Sequence, residues 1–305
     1  MSAPSGVPFS LDAFLQAERG RVEAALVEAL EELLPELPGS TRDAVRYGVT
    51  TGGKRLRPIL CVTSYSAAGG RDRAGAMRLA VSLELIHAYS LMHDDLPCMD
   101  DAPLRRGRPT PHTVYGEEAT ILGGAALIPA AHLQAWRACA GLGLDREVGR
   151  SVLSVLARAS GGAGMVGGQV LDLLGEGGEL ELEELDRLHG MKTGALLAAS
   201  LEIGALAAEA EPATLDALVG YGRAIGLAFQ VADDILDATS DAGALGKEPS
   251  DAGLEKSTYV SLLGVERARA AAAALVGTAL DALAAVRIAD PALKALARYT
   301  VERAH

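Results

Sequence analysis

Long stretches rich in alanine and leucine dominate the sequence, and no segment keeps the period-two alternation with β-branched residues that a strand requires. Alanine and leucine are strong helix formers, and aromatic residues make up only 4% of the chain. Between Gly and Pro breakers, and a Pro-, Gly- and Arg-rich loop at 96–113, we expect helices at 11–34, 41–49, 74–93, 117–141, 145–160, 168–174, 181–209, 213–240 and 257–303. The pattern predicts one all-α domain over residues 1–305.

The charge and the cysteines limit the partners and the compartment. A formal net charge of −12 argues against a nucleic-acid or anionic-membrane surface, so local cations or metal ions must hold any anionic ligand. Cys61, Cys98 and Cys139 lack paired spacing, which is typical of a reducing compartment. The first residues lack a basic signal-peptide segment, and the longest apolar stretch, 119–131, is too short to span a bilayer. We expect a cytoplasmic protein that binds no nucleic acid and has no membrane span.

Two acidic clusters stand out against apolar helices. Gln230, Asp233, Asp234 and Asp237 recur at offsets of three, four and seven, which places them on one stripe of a helix. Carboxylates on one partly buried stripe repel one another, and a divalent cation relieves that cost. A single Asp pair in a helix is more often a solvated face or a cap. Two such clusters about 140 residues apart favour the metal-binding interpretation.

The first cluster comprises Asp94 and Asp95, followed by Asp100 and Asp101. Asp94 lies seven residues after His87, so both occupy the same helix face, and Pro97 then breaks the helix and allows Asp100 to turn back as a further ligand. Oxygen ligands without cysteine or paired histidine point to magnesium, with manganese as the alternative, and not to zinc.

Short basic segments interrupt the acidic background. Arginine and lysine are the usual ligands of phosphate oxygens, although any one of them alone is better explained as a surface ion-pair partner. The basic residues concerned are Lys54, Arg55, Arg57, Arg105, Arg106, Arg108, Lys192, Lys247 and Lys256. Arg105 and Arg106 follow the first acidic cluster closely, and that combination suits a metal ion and a polyphosphate bound together.

In their order, these segments resemble the bacterial trans-polyprenyl diphosphate synthases, which make farnesyl and geranylgeranyl diphosphate, over essentially the whole chain. The segments that match are Gly52–Pro58, Asp94–Asp100 in the longer bacterial form, Gly167–Gln169 with Asp172, Lys192–Gly194, Phe229–Asp237, Gly246–Lys247 and Lys256–Tyr259. The resemblance implies the isoprenoid synthase fold, in which long helices surround a deep central cavity with both acidic motifs at its mouth. It also implies a homodimer.

The resemblance assigns roles to individual residues. The metal ligands would be Asp94, Asp95, Asp100, Asp233, Asp234 and Asp237, holding about three magnesium ions on the allylic diphosphate. Arg105, Lys192 and Lys247 would add positive charge to that diphosphate, and Lys256 would also bind substrate. Lys54, Arg57, His87 and Arg106 would bind isopentenyl diphosphate. Lys192, Thr193 and Gln230 would shelter the allylic cation, and Arg105 would assist catalysis.

The implied reaction condenses isopentenyl diphosphate with dimethylallyl or geranyl diphosphate, without a protein nucleophile. Tyr89, with Ser90 beside it, occupies the position where a bulky residue in relatives stops growth at fifteen carbons. Its alternative interpretation is an ordinary core aromatic. We therefore predict farnesyl diphosphate as the product, with geranylgeranyl diphosphate as the alternative.

Three positions depart from the family pattern. Ala102 and Pro103 replace two acidic residues, and Ala125 replaces an Asp, so a weakly active or non-catalytic subunit is one alternative. A terpene cyclase would share the first motif, but its second motif usually mixes Asn, Ser or Thr and Glu, and it would not need the Lys54 and Arg57 segment. A helical scaffold with solvated acidic stripes is a further alternative.

Overall fold

The computed structural model describes residues 9–175, 178–239 and 257–302, and these ranges are almost entirely helical. Their α-helices are α1 (Leu11–Leu33), α2 (Gly39–Thr50), α3 (Leu56–Ala67), α4 (Arg73–Asp94), α5 (Pro111–Tyr115), α6 (Glu117–Gly141), α7 (Arg146–Ser160), α8 (Met165–Leu174), α9 (Leu182–His189), α10 (Ala195–Ala207), α11 (Pro212–Thr239), α12 (Tyr259–Leu263), α13 (Val265–Ala285) and α14 (Pro291–Glu302). A five-residue π-helical turn, Gly190–Gly194, joins α9 to α10, and β1 (Leu104–Arg105) pairs antiparallel with β2 (Arg108–Pro109). The all-α prediction is confirmed.

Helix α4 lies inside the bundle, because most of its side chains are buried. The Asp72 side chain caps its N-terminus by accepting a hydrogen bond from the Gly75 backbone N–H at 2.8 Å. Helix α4 packs against α6 and α3, α3 packs against α10, and α10 packs against α11. The two acidic segments, at the C-terminal ends of α4 and α11, are thereby held in one packed bundle.

Glycines set the spacing between α11 and its neighbours. A Cβ atom added at Gly222 would lie 2.8 Å from Ala198 Cα, and one added at Gly226 would lie 2.8 Å from Gly194 Cα. Protein interiors are too closely packed to accept such contacts without a shift of the backbone. Helix α11 therefore lies this close to α10 and to the π-helical turn only because both positions are glycine.

A small apolar cluster supports the C-terminal half of α11. It contains Leu185 of α9, Val231 and Ile235 of α11, Tyr259 of α12 and Ala268 of α13. Because burial of such side chains stabilises their arrangement, the cluster fixes the second acidic segment against α9 and α12. The larger core contains most of the remaining buried apolar side chains.

The structure differs from the sequence-based expectation in three segments. The predicted continuous helix 181–209 is interrupted by the π-helical turn, which inserts an extra residue into the helical ladder. The predicted helix 257–303 is divided into α12, α13 and α14, where Gly264 adopts a positive φ of 77° and Pro291 starts the last helix. The predicted loop 96–113 contains the hairpin, at whose turn Arg106 and Gly107 adopt positive φ values of 55° and 73°, and the first residues of α5.

One helix among the described residues, α13, is long and apolar enough to cross a membrane by length and composition alone. Only 28% of its most apolar window is buried, and the helix packs against α11 and α14. Helices in the core of a bundle meet the same criteria, so this is weak evidence for a span. The absence of a span, the single domain and the deep central cavity stay predictions.

Candidate active site

The first acidic motif forms a tight turn at the end of α4. Asp94 is the last residue of the helix, and its backbone carbonyl accepts a hydrogen bond from the Asp100 backbone N–H at 2.9 Å. Asp101 completes the turn with a positive φ of 46°. The return of Asp100 towards Asp94, expected from Pro97, is therefore present in the backbone.

The surroundings of Asp94 disfavour the ionised form of its carboxyl. Burial, with smaller contributions from the charges of Asp100 and Asp95, raises the pKa of its carboxyl from 3.8 to about 6, while Lys192 and Arg105 act in the opposite direction. The opposing effect of Lys192 shows that the π-helical turn lies near the end of α4. Ionised Asp94 thus has a free-energy cost that a bound cation would relieve.

Asp95 and Arg105 form a forked ion pair. Arg105 Nε lies 2.8 Å from both carboxylate oxygens of Asp95, and its Nη2 lies 2.7 Å from Oδ1. Asp95 is only 1% exposed. The β1–β2 hairpin carries Arg105 back over the first motif, so the predicted convergence of opposite charges is present. The roles of Asp95 as a metal ligand and of Arg105 as a diphosphate ligand stay predictions.

A cationic cluster surrounds His87, two turns before Asp94 on the same helix. Burial lowers the pKa of His87 well below 6.5, and the charges of Arg57, Arg106, Arg105 and Arg55 lower it further. Burial likewise lowers the pKa of the Arg57 guanidinium to about 10. Because the pKa of His87 is so low, its imidazole is neutral at neutral pH and contributes hydrogen-bonding atoms instead of charge.

The structure brings together three of the four predicted isopentenyl diphosphate ligands. Arg57, His87 and Arg106 influence one another electrostatically, and Arg106 Nη1 donates a hydrogen bond to the Gly52 carbonyl. Lys54 is exposed in the same loop. Convergent arginines in a partly buried cleft are a typical phosphate-binding arrangement.

The second acidic motif lies on α11, and its three aspartates differ in burial. Asp234 is buried, and its Oδ2 accepts a hydrogen bond from the Tyr259 backbone N–H at 2.7 Å. Asp233 is partly buried and Asp237 is exposed. The Tyr259 hydroxyl in turn donates to Asp186 of α9. The hydrogen bond from Tyr259 fixes Asp234 against α12, and the metal-binding role of all three aspartates stays a prediction.

The π-helical turn presents Lys192 and Thr193 between α8 and α11. Lys192 Nζ forms an ion pair with Asp172 Oδ2 at 2.6 Å. A Cβ atom at Gly168 of α8 would overlap the Lys192 backbone, so this glycine permits the close approach. The turn therefore holds Lys192 next to α8 and within electrostatic range of Asp94.

Gln230 is held by a histidine that the sequence reasoning missed. Its Nε2 lies 3.2 Å from His189 Nδ1, and the His189 ring stacks on Tyr259 with 5.6 Å between ring centroids. Burial lowers the pKa of His189 to about 4, so the ring is neutral and its Nδ1 can accept from the amide. The amide of Gln230 is thereby oriented by a histidine that stacks on Tyr259, the residue whose backbone N–H binds Asp234.

The predicted chain-length residues lie on the buried part of α4. Tyr89 is 8% exposed, and its ring meets His93 edge-on, with 5.3 Å between ring centroids. Ser90 Oγ donates a hydrogen bond to the His87 carbonyl at 2.9 Å. Lys247 and Lys256 lie outside the described residues, so their predicted roles stay predictions.

The donor set suits magnesium without forming a ready-made cage. Within residues 9–175, 178–239 and 257–302, no three His, Cys, Asp or Glu side chains converge to hold an ion by themselves. Magnesium characteristically uses a few carboxylates and completes its octahedron with water and substrate phosphate. The raised pKa of Asp94 beside Asp100 fits such a site, because a cation is needed to stabilise both charges.

The sequence did not lead us to Glu84, nor to the structural role of Arg55 as its ion-pair partner. Both are buried, and Arg55 Nη1 lies 2.8 Å from Glu84 Oε1. The available signal was a glutamate three residues before His87 within an apolar helix. Charged residues in such positions are rarely buried without a partner.

The helical bundle carries two acidic segments beside a separate arginine cluster, which is the arrangement predicted for an enzyme that binds diphosphates with divalent metal. Residues 39–289 match the family model described as polyprenyl synthetase. The chain belongs to the polyprenyl synthetase family, and the predicted class of enzyme, a prenyltransferase, is confirmed.

Individual relatives cover most of the chain. A farnesyl diphosphate synthase of Escherichia coli is 45% identical over 285 residues, covering 90% of this chain and 94% of the relative. Geranylgeranyl pyrophosphate synthase 12 of Arabidopsis thaliana is 44% identical over 253 residues, covering 82% and 70%. The structure of a geranyltransferase from Helicobacter pylori, complexed with magnesium and isoprenyl diphosphate, superposes with a TM-score of 0.80 at 32% identity and covers 98% and 99%. The isoprenoid synthase fold is thereby confirmed.

Proposed function

We propose that this chain is a magnesium-dependent synthase that condenses isopentenyl diphosphate with dimethylallyl and then geranyl diphosphate to give farnesyl diphosphate. The observation that carries the proposal is a pair of unlike sites along α4, one around His87 and one at the C-terminal end of the helix. Asp94 and Asp100 form an acidic site that needs metal, whereas Arg57, His87 and Arg106 form a cationic site that does not. Two diphosphates bound by different chemistry side by side are what a head-to-tail condensation requires.

The acidic residues would hold the metal on the allylic substrate. Asp94 and Asp100 from the first motif, together with Asp233, Asp234 and Asp237 from the second, supply the carboxylate oxygens. When bound, magnesium supplies charge neutralisation for the departing diphosphate. We further propose that about three magnesium ions bind and that manganese can replace them.

Cationic side chains would also stabilise the negative charge of the allylic diphosphate. Lys192, held by Asp172, and Arg105, held by Asp95, lie close enough to Asp94 to influence its pKa. Preorganised cations stabilise the charge that builds on a leaving diphosphate without costly reorganisation. Lys247 is proposed for the same role.

The second substrate would bind in the arginine cluster and attack the allylic carbon. Lys54, Arg57 and Arg106 would hold its diphosphate, and neutral His87 would add a hydrogen bond. Thr193 and Gln230 would place their oxygens near the allylic cation, as Lys256 completes the substrate site. The double bond of isopentenyl diphosphate then attacks, and the proton leaves to the released diphosphate.

The farnesyl product is proposed on the position of Tyr89. This ring is buried on α4, within one and a half turns of Asp94, and burial together with the Asp94 charge raises the pKa of its hydroxyl. A bulky ring so near the metal site limits the length of chain that can extend past it. Relatives are named as both farnesyl and geranylgeranyl synthases, so geranylgeranyl diphosphate remains the alternative product.

A homodimer in the cytoplasm completes the proposal. Helix α6 carries an exposed apolar stripe at helical spacing, including Leu122, Leu133 and Trp136 with exposures of 61%, 41% and 44%. Exposed apolar patches of this kind typically mark interfaces, which supports self-association. Cys61 and Cys139 are buried free thiols, as a reducing compartment favours.

The test is incubation with labelled isopentenyl diphosphate and each allylic diphosphate, with and without magnesium, followed by product sizing. We expect magnesium-dependent formation of a fifteen-carbon diphosphate. Turnover of an allylic diphosphate without isopentenyl diphosphate would instead identify a cyclase. No turnover of any pair, with a folded protein, would identify a non-catalytic subunit and refute the proposal.

A further inference from the structure

One buried carboxylate lies inside the arginine cluster and has no part in the reaction described above. Glu84 is 3% exposed on α4, one turn before His87, and its Oε1 accepts a hydrogen bond from Arg55 Nη1 at 2.8 Å. Its charge also acts on Arg57 and Arg106. Glu84 therefore faces the cationic site from within the core.

Arg55 links Glu84 to the loop that carries the predicted ligands. Its Nη2 donates to the Val49 carbonyl at 2.8 Å, and its own backbone adopts a left-handed conformation with φ of 53°. That conformation is costly for a residue with a Cβ atom and persists only where surrounding contacts impose it. Lys54 directly precedes Arg55 and Arg57 lies two residues after it, so the Glu84–Arg55 pair fixes the turn from which both side chains extend.

The charges of the cluster leave two arginines available for an anion. Glu84 neutralises Arg55 and Asp95 neutralises Arg105, both at ion-pair distance. Among the described residues, neither Arg57 nor Arg106 has an acidic side chain within ion-pair distance. Both guanidinium groups can therefore form ion pairs with the oxygens of a diphosphate.

Two further buried atoms of the cluster, one on Glu84 and one on Arg57, have opposite hydrogen-bonding character. Glu84 Oε2 and Arg57 Nε are both buried without a hydrogen-bond partner among the described residues. A buried acceptor and a buried donor left unpaired are each costly. Burial lowers the pKa of Arg57 to about 10, and the charge of Glu84 acts against this effect.

We propose that Glu84 is a positioning residue for isopentenyl diphosphate, acting through Arg55 to hold Arg57 and Lys54 in the orientation that binds the diphosphate. The inference rests on the proposed function, because it assumes that the arginine cluster binds this substrate. For the loss of the Glu84 charge, the inference predicts weaker binding of isopentenyl diphosphate, whereas charge attraction alone predicts tighter binding. Removal of a negative charge from a cationic site should tighten an anion if charge alone matters, whereas loss of positioning should weaken it.

The experiment compares Glu84→Gln with a matched control, Glu18→Gln. Glu18 is also 3% exposed, is paired with Arg73 at 2.8 Å and with Arg21 at 2.5 Å, and has an unpartnered Oε2, but it lies on α1. Both substitutions keep the side-chain shape and remove one buried charge. Steady-state kinetics gives KM for each substrate, and calorimetric titration with isopentenyl diphosphate in metal-free buffer gives the binding constant directly.

We expect Glu84→Gln to raise KM and the dissociation constant for isopentenyl diphosphate about tenfold or more, with KM for the allylic substrate changed less than about twofold. Glu18→Gln should leave both values of KM near wild type. Glu84→Asp keeps the charge and should recover part of the affinity, which preserves the test if Glu84→Gln folds poorly. The double variant Glu84→Gln/Arg55→Gln should be no worse than the single one, because the two act as a unit.

Unchanged or tighter binding of isopentenyl diphosphate in Glu84→Gln would overturn the inference while leaving the proposed function intact. An equal loss of affinity for both substrates in Glu84→Gln would also overturn it, since that is the result expected of a purely structural pair. Wild-type protein that binds no isopentenyl diphosphate would refute the proposed function itself.

Discussion

Substitution of Asp94 by Asn is expected to stabilise the metal-free protein while abolishing its activity. In the folded chain the pKa of Asp94 is raised from 3.8 to about 6, chiefly by burial and secondarily by Asp100. Above both pKa values the carboxylate is ionised in the folded and unfolded states, and its ionisation costs more in the folded one. A difference of about 2 pKa units corresponds to an upper limit of ~3 kcal/mol in the free energy of unfolding.

The assay is urea denaturation in the presence of a chelator, followed by circular dichroism. We expect Asn to be more stable than Asp by about 1 to 3 kcal/mol near pH 8. The difference should shrink as the pH falls through about 6 towards 4, because the wild-type carboxyl then takes up a proton in the folded state. Magnesium with inorganic pyrophosphate should stabilise the wild type and not the variant. A less stable variant near pH 8, or a difference that grows in acid, would refute the reasoning.

Three further changes test other parts of the site. Tyr89→Ala removes a buried ring from α4 and should lengthen the product in chromatographic sizing; an unchanged length would exclude Tyr89 as the limit. Asp172→Asn breaks the 2.6 Å ion pair with Lys192 and should lower kcat about tenfold, with KM for isopentenyl diphosphate nearly constant. An effect on that KM alone would contradict this assignment. Gly226→Ala places a Cβ atom 2.8 Å from Gly194 and should lower the free energy of unfolding by about 1–3 kcal/mol in urea denaturation. An unchanged urea midpoint for Gly226→Ala would show that α11 can shift without loss of stability.

Much of the helical architecture could be predicted because its signals are local. Helices α4, α6 and α11 begin and end within about a residue of the expected positions, where Gly, Pro and capping residues mark the ends. The return of Asp100 towards Asp94 followed from Pro97. The order of the motifs, and so the family, could likewise be recognised from short segments.

The parts that were not predicted depend on partners far apart in sequence. Glu84 pairs with Arg55 across 29 residues and two helices, so no periodic pattern along one helix reveals it. The orientation of Asp234 is set by the Tyr259 backbone, 25 residues later. Helical periodicity places side chains on a face, but only tertiary packing decides which group meets that face.

The π-helical turn had no recognisable signal for a related reason. A single inserted residue changes the register of a helix by about 100° without changing its composition. The turn presents Lys192 towards Asp172 and the region of Asp94, which a continuous helix through 181–209 would not have predicted. Such turns commonly occur at functional sites, and this one carries two of the predicted catalytic residues.

The central claim is that both acidic motifs act on one diphosphate through shared divalent ions. Anomalous diffraction from crystals soaked with manganese and inorganic pyrophosphate measures this directly. We expect manganese peaks on both sides of one bound pyrophosphate, some coordinated by Asp94 and Asp100 and others by Asp233 or its neighbours. Manganese bound at two separate surface patches, with no pyrophosphate between them, would contradict the account.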